Sequence, residues 1–249
     1  MKKFSRSSGI PQITPVADSA NGGKAGKAHL LLLMAISVGI GLFFMEGLFS
    51  ESKTEIKLPL PQKKSSVSVE EALVKRRSVR EYKDEALTLE EISQLLWAAC
   101  GITSGWGGRT APSGGALYPL EIYLVVGKVK GLETGVYHYR PRGHFLTNIV
   151  QGDKRFALFN AGLWQSPIKN APVSLVICAQ YERTTRKYGE RGRRYVHIEV
   201  GHVGQNIYLQ AESLGLRTVA IGAFVDEAVK KVLNAQEEPL YIMPVGKRI

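Results

Sequence analysis

Three segments carry residue types suited to chemistry. RTAPSGGALYPLEIYLVVG, from Arg109 to Gly127, sets adjacent glycines between two prolines ahead of a run of β-branched and aromatic residues. Glycines let a backbone approach a planar or phosphorylated ligand closely, and the prolines fix the turn on either side. RRSVREY, beginning at Arg76, offers guanidinium forks that bind phosphate and carbonyl oxygens through paired hydrogen bonds. RTTRKYGERGRR, from Arg183 to Arg194, crowds cations around Lys187. Like charge favours the neutral amine, the form that a general base needs. A cofactor site is the first expectation.

Other chemistries lack their residues. The folded part has no GxxxxGK[ST] loop, and Gly22-Gly23-Lys24-Ala25-Gly26-Lys27 is misspaced. No GxGxxG follows a strand and no GxSxG elbow exists, while Ser113 stands between Pro112 and Gly114 with no evident base. His197 and His202 are about 140 degrees apart on a helix, so they do not form the paired-histidine face of a zinc helix, and only Glu199 and His202 are neighbours. The two cysteines, Cys100 and Cys178, lie among apolar residues and read as buried free thiols. The formal net charge of +11 suits nucleic acid, an anionic membrane or a phosphorylated ligand, but no nucleic-acid signature accompanies it.

A chain of 249 residues suffices for one sizeable domain. Residues 1–28 form a basic tail. Residues 29–50, apolar from Leu30 to Phe49 but for Glu46, have the length of a single-pass transmembrane helix, with a cleaved signal segment as the rival. Lysines and arginines ahead of it place the N-terminus in the cytoplasm and the domain outside. Residues 51–66 read as a tether and 67–249 as the folded domain. Ser68 to Glu71 and Thr88 to Glu91 are capping boxes that open helices. Further helices are expected at Asp153 to Ala161, Tyr195 to Leu214 and Asp226 to Leu233. Strands are expected at Leu120 to Val126, Val136 to Tyr139, Val173 to Cys178, Thr218 to Ala223 and Leu240 to Val245. Strands and helices interleave, but a hairpin around Gly143 breaks the alternation and favours an α+β domain, a central mixed β-sheet flanked by helices.

The box at Arg76, then APSGGALYP, KYG at Lys187, HIEVGHVGQN from His197, and GAF at Gly222 followed by PLYIMPVG, resemble the FMN-dependent nitroreductase superfamily, and within it the SagB/ThcOx group of azoline dehydrogenases. The resemblance covers Val69 to Lys247. It implies a homodimeric flavoprotein. Arg76, Arg77, Ser78 and Arg80 would contact the pyrimidine edge, ribityl chain and phosphate of FMN. Pro112, Ser113 and Gly114 would reach the cofactor from the partner subunit, although Ala116 stands where many nitroreductases have a polar residue. Gly222 and Ala223 would present backbone amides to flavin N5, and Lys247 and Arg248 are the candidates for the phosphate at the C-terminal side. Lys187 and Tyr188 would serve oxidation of a peptide-borne heterocycle. The alternatives are an NAD(P)H-dependent nitro or quinone reductase and, from another class, a membrane-tethered binding module without redox work.

Overall fold

The computed structural model describes residues 55–249. Seven strands form one sheet in the order β1-β4-β3-β2-β5-β7-β6. They are β1 (Glu55–Lys57), β2 (Leu120–Val126), β3 (Gly135–Arg140), β4 (Phe145–Gln151), β5 (Val173–Ala179), β6 (Leu216–Thr218) and β7 (Glu238–Lys247). The helices are α1 (Val69–Lys75), α2 (Leu89–Cys100), α3 (Arg155–Ala161), α4 (Ser166–Asn170), α5 (Glu182–Tyr188), α6 (Arg191–Ser213) and α7 (Asp226–Leu233).

The expected mixed sheet is corrected: every strand pair is antiparallel, and parallel contact is confined to isolated bridges such as Ser78 with Thr218. The cause is connectivity. A loop over 127–134 and a short turn over 141–144 join β2, β3 and β4 into a meander, while α5 and α6 carry the chain past β5 to the far edge, from which β7 returns between β5 and β6.

The transmembrane helix and the membrane localisation that followed from it are also corrected. No helix among the described residues is long and apolar enough to cross a membrane, and the expected span at 29–50 lies outside those residues. The architecture is therefore stated as a nitroreductase-like α+β domain alone. The described end of the expected tether contributes β1 and the buried Leu58.

Both faces of the sheet are covered. Leu120, Ile122 and Leu124 of β2 and Leu175 and Ile177 of β5 pack with Leu95 and Leu96 of α2 and Val196, Val203 and Ile207 of α6. The alternate residues Tyr123, Val125, Val176 and Cys178 meet Leu158 of α3, Ile168 of α4 and Val229 and Leu233 of α7. The period of two that sends successive strand side chains to opposite faces thus fills two cores. Both cysteines are buried and free.

Thr88 and Glu91 form the full reciprocal capping box of α2. At α1 only half of the device forms: Ser68 accepts from the Glu71 amide, while the Glu71 carboxylate pairs with Lys75. The strand expected at Thr218 to Ala223 ends early, and past Thr218 only Ile221 bridges to Ile242 of β7.

Candidate functional site

The arginine box follows α1. Arg76 caps that helix and lays its guanidinium over the Tyr208 ring, 5.2 Å from the centroid. Arg77 turns back to donate to the carbonyls of Val74 and Arg76. The backbone then docks on β6, where the Val79 amide donates to the Thr218 carbonyl at 2.9 Å. The Tyr208 hydroxyl accepts from the Ala220 amide at 2.8 Å and lies 2.9 Å from Ser78 Oγ. One phenol on α6 therefore ties the arginine box to the segment leading to Gly222 and Ala223. Both of those are exposed, and the Ala223 carbonyl accepts from Gln165 Nε2 at 2.8 Å. Arg76, Arg77 and Arg80 pair with no carboxylate among the described residues. The Lys247 ammonium is paired with Glu91, and Arg248 is exposed.

The glycine loop makes a second cluster. Gly114–Ala116 forms a single 3-10 turn in which Gly115 has φ of 67°, and Ala116 and Tyr118 follow at 55° and 47°. Left-handed backbone at non-glycine residues is costly and persists only where the surroundings over-determine it. Tyr118 is so determined. Its amide donates to Ser113 Oγ at 2.9 Å and its carbonyl accepts from Arg183 Nη1 at 3.0 Å. Its ring lies under Arg109 at 4.6 Å. Arg183 in turn pairs with Glu121 at 2.5 Å, and Glu121 with His138 at 2.7 Å. Burial pushes the Glu121 carboxyl up, but the His138 hydrogen bond and the Arg183 charge outweigh it and hold the group below the usual carboxylate range.

Lys187 and Tyr188 end α5 directly against this turn. A Cβ on Gly115 would stand 2.6 Å from Tyr188 Oη and 3.1 Å from Lys187 Nζ, so a side chain there would push both groups aside, and the φ of 67° already favours glycine. Lys187 Nζ lies 5.3 Å from the Tyr188 ring centroid, and that ring meets Tyr195 edge-on at 5.1 Å. Beneath the loop, Ser113 Oγ donates to Glu199 Oε2 at 2.5 Å. Burial raises the Glu199 pKa to about 7 against the partial offset of the Ser113 hydrogen bond and the Arg109 charge.

Arg76, Ser78 and the Ala220 segment thus converge on Tyr208, and Ser113, Lys187 and Tyr188 on the turn above Glu199. Among the described residues no hydrogen bond or ion pair joins the two groups. Glu199 and Tyr208 are nine residues apart on α6, about 13 Å along its axis. Sequence reasoning missed Tyr208 and the Arg183–Glu121–His138 chain, and read Glu199 as a hydrogen-bonded packing position, with a metal ligand as the lesser reading, without its partner. For Glu199 a signal existed: it is an acid beside the apolar stripe Val196, Val200 and Val203, where burial demands a partner.

The chain belongs to the nitroreductase family: the model of that family matches residues 73–247. A protein of Methanocaldococcus jannaschii named as a nitroreductase is 51% identical over 195 residues, covering 78% of this chain and 97% of its own. The microcin B17-processing protein McbC of Escherichia coli is 31% identical over 146 residues, 55% of this chain and 54% of its own. Among solved structures, a nitroreductase-type protein of Ralstonia eutropha superposes with TM-score 0.70 at 27% identity, covering 80% of this chain and 92% of its own. The E. coli microcin synthetase McbBCD complex with truncated pro-MccB17 bound does so with TM-score 0.61 at 26% identity, covering 80% and 79%. A structure in complex with FMN from Desulfovibrio desulfuricans shares the fold at TM-score 0.51 and 20% identity, covering 72% and 84%. The family is thus one of oxidoreductases with a structural neighbour that holds FMN.

Proposed function

We propose that the protein is an FMN-dependent oxidoreductase of the SagB/ThcOx type, acting on a small oxidisable group such as a peptide-borne azoline. The observation that carries this reading is the seating of Lys187 and Tyr188 together on Gly115, an exposed turn with no side chain of its own. The donor set suits a flavin mononucleotide: guanidinium groups of Arg76 and Arg80 without carboxylate partners among the described residues, the Ser78 hydroxyl, and exposed backbone at Gly114, Gly222 and Ala223. When bound, FMN supplies two-electron hydride chemistry at N5. Arg76 and Arg80, with Arg248, bind the phosphate and pyrimidine edge. Arg77 contributes less because its guanidinium is folded onto its own helix end, and Lys247 less because Glu91 holds it. Gly222 and Ala223 offer amides to the ring. Lys187 Nζ accepts the proton that leaves the heterocycle carbon, and Tyr188 orients the amine.

Two chains complete the site. The clusters lie at different stretches of α6, and Pro112 and Gly114 are exposed on either side of the half-buried Ser113, within reach of a second copy. Val69, Leu73 and Val74 of α1 and Ile198 of α6 are exposed apolar residues suited to that contact. Lys187→Ala in the FMN-loaded protein is expected to retain the flavin and lower turnover of an azoline peptide about 10²- to 10⁴-fold. Unchanged turnover rejects Lys187 as the base.

A second reading is favoured by the relative that is 51% identical and named as a nitroreductase. On that reading the enzyme is an NAD(P)H-dependent nitro or quinone reductase, and NADH or NADPH alone reduces the bound flavin.

A further inference from the structure

We propose that Glu199 is the positioning residue of the loop beneath Lys187: a buried carboxylic acid that leaves the strained turn Ser113–Tyr118 closed while it carries its proton and, on ionising, favours opening of the turn, which lets water reach the carboxylate. The inference rests on the reading that Lys187 and Tyr188 handle the substrate proton. Glu199 is 4% exposed, and its hydrogen-bond partner among the described residues is a neutral hydroxyl. A buried carboxylate with no cation bonded to it is unfavourable, whereas the neutral acid still accepts from Ser113. Arg109 is the near cation, but its guanidinium stacks on Tyr118 instead of forming an ion pair with Glu199.

The Ser113 hydrogen bond itself tightens to a carboxylate, so the drive to open is hydration of the buried charge, and the strained backbone is what gives. Ala116 and Tyr118 hold left-handed backbone, and Ser113 Oγ is the hinge between them and Glu199, accepting from the Tyr118 amide while donating to the carboxyl. Movement is transmitted because Lys187 Nζ and Tyr188 Oη rest on Gly115 within the same turn. The titratable groups around Glu199 are few. From α2 and the loop after it come Cys100, its thiol pushed up to about 12 by burial, and Arg109, whose charge favours ionisation. Tyr195 and His202 flank it on α6, Glu121 lies beyond Cys100 on β2, and Lys187 and Tyr188 face the turn from α5.

Burial carries Glu199 from 4.5 to about 7 in the closed structure. A carboxyl whose pKa is higher closed than open favours closure fully below its open value, and that support is lost as pH rises through the closed value. Closure therefore weakens between about pH 4.5 and about pH 7.

The test is amide hydrogen exchange, read by mass spectrometry on residues 112–118 of the full chain loaded with FMN and corrected for the intrinsic pH dependence. Wild-type exchange is expected to be about tenfold faster at about pH 8.5 than at about pH 5.5. Glu199→Gln, a permanently neutral acceptor for Ser113, is expected to hold the slow rate at both. Ser113→Ala is expected to be fast at both. A wild-type rate that does not change with pH, or Glu199→Gln following the wild-type change, overturns the proposal. Exchange can be followed whether or not the flavin turns over, so a loss of activity alone bears on the proposed function and not on the latch. In the FMN enzyme, Glu199→Gln is further expected to remove the limb of the kcat profile near pH 7 that is absent from flavin binding.

Discussion

The two clusters on α6 are held together by different physics. Around Tyr208 the partners are neutral, a phenol bridging Ser78 and the Ala220 amide, and the guanidinium over its ring, Arg76, stands without a carboxylate among the described residues, as does Arg80 further along the box. In the cluster above Glu199 the partners are internal: Arg183 pairs with Glu121, Glu121 bonds His138, and Arg183 clamps the left-handed Tyr118 backbone. The first arrangement is ready for an external anion, because its cations have nothing else to neutralise. The second is suited to placing reactive groups, because Arg109 and Arg183 are engaged in fixing the loop while Lys187 is left without a carboxylate partner among the described residues. On the proposed function the first is the binding half and the second the working half.

Substitutions can separate these halves. The largest stability effect is expected from Glu121→Leu, which leaves Arg183 and His138 without their carboxylate and costs about 3 kcal/mol in chemical denaturation, with FMN affinity of the folded protein unchanged. A matching loss of FMN affinity would break the division. Arg76→Ala is expected to do the opposite, weakening FMN about 10- to 100-fold in a fluorescence titration, the worth of a charge-assisted hydrogen bond, with little change in stability. Tyr208→Phe removes the hydroxyl shared by Ser78 and Ala220. It should cost about 1 to 2 kcal/mol in denaturation and a few-fold in FMN affinity, showing the phenol as scaffold for the binding half.

The smallest expected effect is on the pH dependence of stability, where the two carboxylates have opposite signs. Glu121, held below the carboxylate range, contributes stability that is present above about pH 4.5 and is lost as pH falls through its lowered folded value. Glu199, raised to about 7, contributes a decline as pH rises from 4.5 to that value. Denaturation of Glu199→Gln across this range should lose the decline and keep the acid-side loss.

Much of the fold was legible because its signals are local. The run Val173 to Cys178, apolar but for Ser174, announced a strand, which the structure buries on both faces, and Asp226 to Leu233 was bounded correctly, as its amphipathic pattern and acidic first turn allow. Sheet polarity was not legible, since it follows from where the long crossover through α5 and α6 delivers β6. The basic segment from Arg183 was seen as charge and not as helix, yet Glu182–Tyr188 is helical, and that is what sets Lys187 and Tyr188 on Gly115. At the site, residue types announced the arginine box and the glycine turn. The partners Tyr208, Glu199 and His138 were hidden because they meet their contacts across long sequence separations, Ser113 with Glu199 over 86 residues and Ser78 with Tyr208 over 130.

Titration of the full chain with FMN tests the central claim most directly. The account predicts one bound FMN per chain, in a yellow protein whose flavin band is bleached by two electrons from dithionite. A chain that remains colourless after refolding with excess FMN would contradict it.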